Sequence, residues 1–167
     1  MLKRFLILLC FIASSVPLFA GLKWVDVGVN GLTCSMCTRS VEMSLKRLDF
    51  VESVKMDLET TEGRIFFKEG VPVDLNALAK AVVNAGFSVR FLKLQLSFDD
   101  IPLKDDGSFI FQGQSYQWLD FQNKVEGPVA LKLVDENFLP KKERAELIKK
   151  FVALKGGDQK ILHVVQG

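Results

Sequence analysis

The 167-residue sequence predicts an α+β fold, with a first half that runs βαββαβ and a second half that is rich in strands and has one helix. Three observations support this prediction. In the first half, segments that alternate apolar and polar residues flank two segments whose apolar residues recur at helical spacing. A polar turn joins the two middle strands as a hairpin. The second half has more alternating segments and one helical pattern.

The first strand and the first helix flank a pair of cysteines. Residues 24–29 alternate in the manner of a strand, and Asn30-Gly31 ends that pattern. A helix is predicted over residues 35–48, because apolar residues recur there at steps of four and three. Those residues are Cys37, Val41, Leu45 and Leu48. The cysteines therefore lie where a strand passes through a loop into a helix.

The remaining elements of the first half complete the βαββαβ order. Residues 51–67 form two strands joined by a polar turn at 59–63. A second helix begins after Asp74, whose carboxylate is a favourable N-cap, and ends at Gly86. Residues 87–91 continue as a strand. This order is the split βαβ arrangement of a ferredoxin-like sandwich.

The second half is predicted as a small β-rich domain with one helix. Residues 92–98 prolong the preceding strand or begin another, and a partial barrel is one arrangement of the strands that follow. The predicted strands are 108–111, 116–121, 129–134 and 161–165. A helix is predicted from Pro140 to Lys155, and Gly156-Gly157 ends it. We place the boundary between the two domains between residues 94 and 95, so that they span residues 21–94 and 95–167.

The first twenty residues have the layout of an export signal. Lys3 and Arg4 precede an apolar stretch, and Ala20 ends a segment suited to cleavage. Cleavage after Ser15 or a retained N-terminal anchor is the alternative. No other segment has the roughly 20 apolar residues that a membrane span needs, so we expect no stable insertion once the signal is removed. We therefore expect an exported protein in the periplasm or at the cell surface of a bacterium.

Removal of the signal changes both the charge and the cysteine count. The chain has a net charge of +2, and the two excess basic residues lie in the signal, so the remainder is neutral. A neutral protein does not favour binding driven by phosphate neutralisation, and we expect no nucleic-acid partner. Cys10 leaves with the signal. The mature chain then keeps Cys34 and Cys37, as a local disulfide or as a site.

The spacing of Cys34 and Cys37 favours a soft-metal site. Thiols at positions i and i+3 can converge on one ion, and thiolates select soft metals, with Cu(I) favoured and Hg(II), Zn(II) or Cd(II) as alternatives. The N-terminus of the following helix favours the thiolate form. Two ligands do not complete the four-ligand coordination shell of zinc. Such low coordination suits Cu(I), and it suits transfer of the ion to a partner. A structural disulfide or a thiol–disulfide exchange site remains the alternative.

Several segments resemble the heavy-metal-associated domain of copper chaperones, copper-pump N-terminal modules and the periplasmic mercury-binding protein. The resemblance covers about residues 23–91. It rests on Val29-Asn30-Gly31-Leu32-Thr33-Cys34-Ser35-Met36-Cys37, Val41-Glu42, Leu45, Leu48, Val51, Val54, Met56-Asp57-Leu58-Glu59 and Ala85-Gly86-Phe87.

The resemblance implies binding of one soft metal ion by Cys34 and Cys37 on an exposed loop. It also implies that Leu32 packs beneath this loop, where the family often has Met, and that Phe87 lies near it. The partner implied is a metal-donor or metal-acceptor protein such as a metal transporter. We expect the chain itself to be a monomer.

The other candidate residues have simpler interpretations. Met36, between the cysteines, is expected to be exposed rather than a ligand, and the lone His163 to be a surface or hydrogen-bonded residue. Aromatic residues of the second half are expected to pack in its core, although a ligand groove is an alternative; they are Phe109, Phe111, Tyr116, Trp118 and Phe121. The chain has no Ser-His-Asp set or phosphate loop, so we expect a binding protein rather than an enzyme, with a thiol–disulfide oxidoreductase as the enzymatic alternative.

Overall fold

The computed structural model describes residues 22–122, 125, 127–151 and 160–167. The predicted α+β fold is confirmed, and its first half has the predicted βαββαβ order. The elements of these residues are β1 (Trp24–Asn30), α1 (Ser35–Lys46), β2 (Val51–Asp57), β3 (Glu62–Phe67), α2 (Leu75–Asn84), β4 (Ser88–Ser97), β5 (Ser108–Phe111), β6 (Gln114–Trp118), β7 (Pro128–Leu133), α3 (Lys141–Lys150) and β8 (Ile161–Gln166). The predicted signal, residues 1–20, lies outside the described residues. Helix α3 ends at Lys150, five residues before the predicted end at Lys155, because Phe151 is extended; the predicted stop at Gly156-Gly157 also lies outside the described residues.

The eight strands form one sheet in the order β2-β3-β1-β4-β7-β8-β6-β5. Strand β1 pairs antiparallel with both β3 and β4, which gives the first half its ferredoxin-like arrangement. Strand β4 also pairs antiparallel with β7, from Lys93 opposite Lys132 to Ser97 opposite Pro128. In the described residues the second half therefore extends the first sheet rather than forming a sheet of its own.

Strand β4 crosses the predicted domain boundary. It runs without a break from Ser88 to Ser97, so residues 92–98 mostly prolong the preceding strand rather than begin a new one. Its first part pairs with β1 and its last part with β7. The division of the chain at residues 94 and 95 stays a prediction.

The core of the first half lies between the sheet and helices α1 and α2. The three alternating valines of β1, Val25, Val27 and Val29, are at most 1% exposed. Helix α1 packs against β2, and α2 packs against β4 and α1. Helix α2 begins as predicted, because the Asp74 carboxylate accepts a hydrogen bond from the Ala77 N–H at 3.0 Å. This packing fixes where α1 begins, and with it the position of the cysteine loop.

Helix α3 connects β7 to β8 and has no fully buried residue. A salt bridge from Lys132 on β7 to Glu143 ties it to the sheet. Strand β8 then pairs antiparallel with β7 and parallel with β6. Across the described ranges, no helix has the length and apolar character required to span a bilayer.

Candidate metal centre

The cysteine loop leaves β1 through Gly31 and enters α1 at Ser35. Gly31 has a φ of +90°, a conformation that residues with a side chain rarely adopt. A Cβ at this position would lie 3.5 Å from Cδ1 of Phe87, so the Phe87 ring lies beside the loop. Leu32 is 5% exposed and belongs to the hydrophobic core. Leu32 is therefore buried below the loop and Phe87 lies near it, as the resemblance implies.

Cys34 is the N-cap of α1. Its backbone is extended, with φ −149° and ψ 156°, and its Sγ accepts a hydrogen bond from the Cys37 N–H at 3.2 Å. Its carbonyl oxygen accepts hydrogen bonds from both the backbone N–H and the hydroxyl of Thr38. The polypeptide therefore holds the first cysteine in the place where serine or aspartate commonly caps a helix.

Cys34 and Cys37 form a disulfide in this structure, and their Cα atoms are 5.2 Å apart. Cys34 is exposed, whereas Cys37 is partly buried and packs against the core. The first cysteine of the pair is therefore the more accessible residue, and the second packs against the protein.

The helix end favours negative charge at the cysteines. Unpaired backbone N–H groups and the dipole of α1 point toward this site, and its first turn contains no acidic residue. When the pair is reduced, these features stabilise thiolates over thiols. Thiolates are the form of cysteine that binds metal ions.

The remaining sequence candidates do not join the two cysteines. Met36 is 73% exposed, in agreement with the expectation that it faces solvent. His163 is buried on β8, where its Nδ1 lies 2.8 Å from Oδ1 of Asp135, so the expectation of a hydrogen-bonded histidine is confirmed. Among the described residues, no group of three or more His, Cys, Asp or Glu side chains could hold a metal ion.

The aromatic residues of the second half pack mainly in its core. Phe109, Tyr116 and Trp118 are at most 5% exposed, which confirms the core interpretation for these three residues. The Phe109 and Tyr116 rings stack at 5.0 Å, and burial raises the pKa of Tyr116. Phe98, which the sequence did not single out, contacts Phe109 at 5.1 Å and Trp118 at 5.7 Å. Its place in the alternating run at the end of β4 was the signal that could have found it.

Known proteins match the first half of the chain. The profile of the heavy-metal-associated domain family matches residues 26–88. The mercuric transport protein periplasmic component of Pseudomonas fluorescens is 30% identical over 86 residues, which cover 52% of this chain and 93% of that protein. The chain belongs to the heavy-metal-associated domain family.

A second relative is a much larger protein that matches over a short region. The copper-transporting ATPase 1 of Rhizobium meliloti (strain 1021) is 35% identical over 68 residues, which cover 41% of this chain and 8% of the ATPase. The chain therefore corresponds to a small part of that enzyme.

Solved structures also match this region. Oxidized MerP from Ralstonia metallidurans CH34 is 29% identical, with a TM-score of 0.37. The match covers 40% of this chain and 94% of the MerP chain. The CopZ metallochaperone is 24% identical, also with a TM-score of 0.37. The match covers 40% of this chain and 97% of the CopZ chain.

Proposed function

We propose that this protein binds one Cu(I) ion through the thiolates of Cys34 and Cys37 and transfers it to a metal-transport partner. The observation that carries this proposal is the position of the two cysteines at the N-terminus of α1, the first an exposed residue and the second packed against the core. The site stands on a loop supported by Leu32 and Phe87. A rigid support lets two ligands bind an ion without ordering the loop first.

The number and type of ligands favour Cu(I). Thiolates are soft ligands, and a structural zinc site normally has four protein ligands, from Cys and His side chains. The described part of the chain brings no third His, Cys, Asp or Glu to this pair. Hg(II) is the second candidate, because the Pseudomonas fluorescens relative is named a mercuric transport protein.

Binding requires reduction of the disulfide. Cys34 and Cys37 must together gain two electrons and two protons from a dithiol reductant, and they then lose the protons as the metal binds. A two-coordinate ion leaves room for a partner thiolate to bind before either original bond breaks. The exposed Cys34 is the sulfur that such a partner reaches.

The cellular setting follows from the sequence and the relatives. We propose that the signal over residues 1–20 directs export to the periplasm or cell surface, and that the mature chain acts as a non-enzymatic monomer. Its partner would be a protein that donates or accepts the metal. The named relatives include a periplasmic component and a transporting ATPase, which supports this setting.

A Cu(I) titration against a competing chelator tests the proposal. We expect the reduced chain to bind one ion tightly and the Cys34→Ser, Cys37→Ser double variant to lose that binding. Met36→Leu is the matched control, because it removes the exposed thioether between the cysteines and leaves both thiolates. Retained tight binding in the double variant would contradict the proposal.

A parallel Hg(II) titration and elemental analysis of protein from its native compartment test the choice of metal. We expect copper in the isolated protein. If mercury replaces copper there, the metal is Hg(II) and the cysteine site still stands.

The disulfide of the structure favours one alternative function, thiol–disulfide exchange by the same cysteines. That function predicts catalytic turnover with a dithiol reductant and a substrate disulfide. We expect no turnover above the uncatalysed rate. Sustained turnover without tight metal binding would replace the metal proposal with an oxidoreductase.

A further inference from the structure

Asn30 and Gly31 lie where strand β1 passes into the cysteine loop. Both residues are exposed, and Asn30 is the last residue of β1. The Asn30 side chain makes no hydrogen bond with any residue that the structure describes. Its carboxamide is therefore able to rotate toward the backbone nitrogen of Gly31, the next nitrogen along the chain.

The backbone at Asn30 lies at the end of its strand pairing. Asn30 lies opposite Ser88, the first residue of β4, so this pair is the last of the β1–β4 ladder. A register shift between Gly28 and Val29 interrupts the ladder just before it. The ends of paired strands open at a much lower free energy than their centres, so Asn30 can leave its extended conformation while the rest of β1 stays paired.

Gly31 leaves its own nitrogen accessible. It has no Cβ, and its φ of +90° is a conformation that other residues rarely adopt. Any other residue type would place a side chain beside this nitrogen. The Asn30 carboxamide therefore reaches the Gly31 nitrogen without steric hindrance from the residue that carries it.

We propose that Asn30 is a site of spontaneous deamidation. The Gly31 nitrogen attacks Cγ of Asn30, a new C–N bond closes a five-membered succinimide ring, and the carboxamide nitrogen leaves as ammonia with the proton that the Gly31 nitrogen loses. Water then opens the ring at either carbonyl. One opening gives aspartate, and the other gives isoaspartate, whose backbone runs through the former side chain. Both products carry a carboxyl group that is ionised at neutral pH.

The structure protects the other asparagines whose neighbours it describes most clearly. Asn84 is also exposed, but the nitrogen that follows it, that of Ala85, donates to the Ala81 carbonyl at 3.1 Å. The Asn76 side chain accepts a hydrogen bond from Nδ2 of Asn137 at 3.2 Å. In each case a partner holds the nucleophile or the carboxamide, so we expect slow reaction at these residues.

Asp106-Gly107 offers the same type of neighbour, yet hydrogen bonds hold both of its reacting groups. The Asp106 carboxylate accepts the Ser108 backbone N–H at 2.9 Å, and the Gly107 N–H donates to the Lys104 carbonyl at 2.9 Å. Deamidation is therefore expected at Asn30 rather than an equivalent rearrangement at Asp106.

Deamidation at Asn30 changes the cysteine loop, and this consequence rests on the proposed function. Isoaspartate adds one CH₂ group to the backbone just before Gly31. Leu32, which is 5% exposed, is the buried residue between that point and Cys34. The longer backbone moves the loop relative to its buried anchor, so we expect the converted chain to bind Cu(I) more weakly.

Incubation of the full chain at mildly alkaline pH tests the chemistry without any metal. Peptide mass spectrometry follows the conversion of Asn30 and Asn84 in the same molecules. We expect Asn30 to convert about tenfold faster or more, and to give isoaspartate as well as aspartate. Equal rates at the two residues, or aspartate without isoaspartate at Asn30, would overturn the proposal.

Asn30→Gln is the matched variant, because a glutamine must close a larger ring and reacts more slowly. Fresh and incubated samples of both proteins are reduced with a dithiol, freed of it and titrated with Cu(I) against a chelator. We expect incubation to weaken binding about threefold or more in the natural chain and to leave the variant unchanged. Equal affinities of fresh and fully converted natural chain would overturn the effect on the metal site. Absence of binding in the fresh chain would instead contradict the proposed function, whereas the mass spectra would still decide the deamidation.

Discussion

Leu94 on β4 lies opposite Leu131 on β7, and both side chains are at most 1% exposed. This pair stands where the sheet of the metal-binding half continues into the second half. Backbone hydrogen bonds and buried apolar surface therefore cross the position at which the sequence predicts a domain boundary. We therefore expect the folding of the two halves to be interdependent.

Leu131→Ala should destabilise both halves of the chain. Truncation of a fully buried leucine costs about 2–5 kcal/mol, from lost apolar contact and the cavity that remains. Each half has its own tryptophan, Trp24 on β1 and Trp118 on β6, so single-tryptophan variants report on the halves separately. In denaturant titrations we expect the two tryptophan signals to have the same unfolding midpoint. Leu131→Ala should lower that midpoint equally for both signals. Separate midpoints would instead support two independent domains divided at residues 94 and 95.

Gly31→Ala should weaken metal binding as well as stability. A side chain at a φ of +90° is strained by about 1–2 kcal/mol, and relief of that strain moves the loop that positions Cys34. Gly70→Ala is the matched control, because Gly70 also has a positive φ, of +73°, and nothing lies within 4 Å of its added Cβ. We expect thermal unfolding to show lower stability in both variants. Chelator competition should show weaker Cu(I) binding for Gly31→Ala alone. Equal affinities would indicate that the loop tolerates the change.

Asp74→Ala should lower stability by about 1 kcal/mol through loss of the α2 cap. The carboxylate accepts the Ala77 N–H at 3.0 Å, and alanine leaves that donor to water. Asp74→Asn separates the hydrogen bond from the charge, because the amide oxygen still accepts it. We expect chemical denaturation to show that asparagine retains most of the stability. If Asp74→Asn loses as much stability as Asp74→Ala, the effect comes from the charge at the helix N-terminus rather than from the hydrogen bond.

Oxidation should abolish Cu(I) binding reversibly. The disulfide between Cys34 and Cys37 consumes both thiolates, and a dithiol reductant restores them. After removal of the reductant, chelator competition should give one Cu(I) ion per reduced chain and close to none per oxidised chain. Substantial binding by the oxidised chain would place the metal elsewhere.

The sequence predicted the first half well because its information is local. The alternation of Val25, Val27 and Val29 identifies β1, and the Asp74 cap and Gly86 delimit α2 to within two residues. The cysteine spacing likewise places Cys34 and Cys37 at the start of α1.

The arrangement of the second half depends on pairing between distant segments, which periodicity does not encode. Leu94 meets a residue 37 positions later, and the Asp135 carboxylate holds a histidine 28 positions away. The strands 108–111 and 161–165 were predicted close to their observed bounds, but their order in the sheet was not. A cavity beside β6 and β8 was unforeseen for the same reason, because the described residues that line it come from four separate segments.

The pairing of β4 with β7 also restricts how other molecules can approach. An unpaired edge strand offers its backbone to strands of other chains, which risks aggregation or domain exchange. The last part of β4, from Lys93 to Ser97, is already paired with β7. A strand of another chain therefore cannot pair with this part of β4, so the sheet can be extended only beyond its two edge strands, β2 and β5.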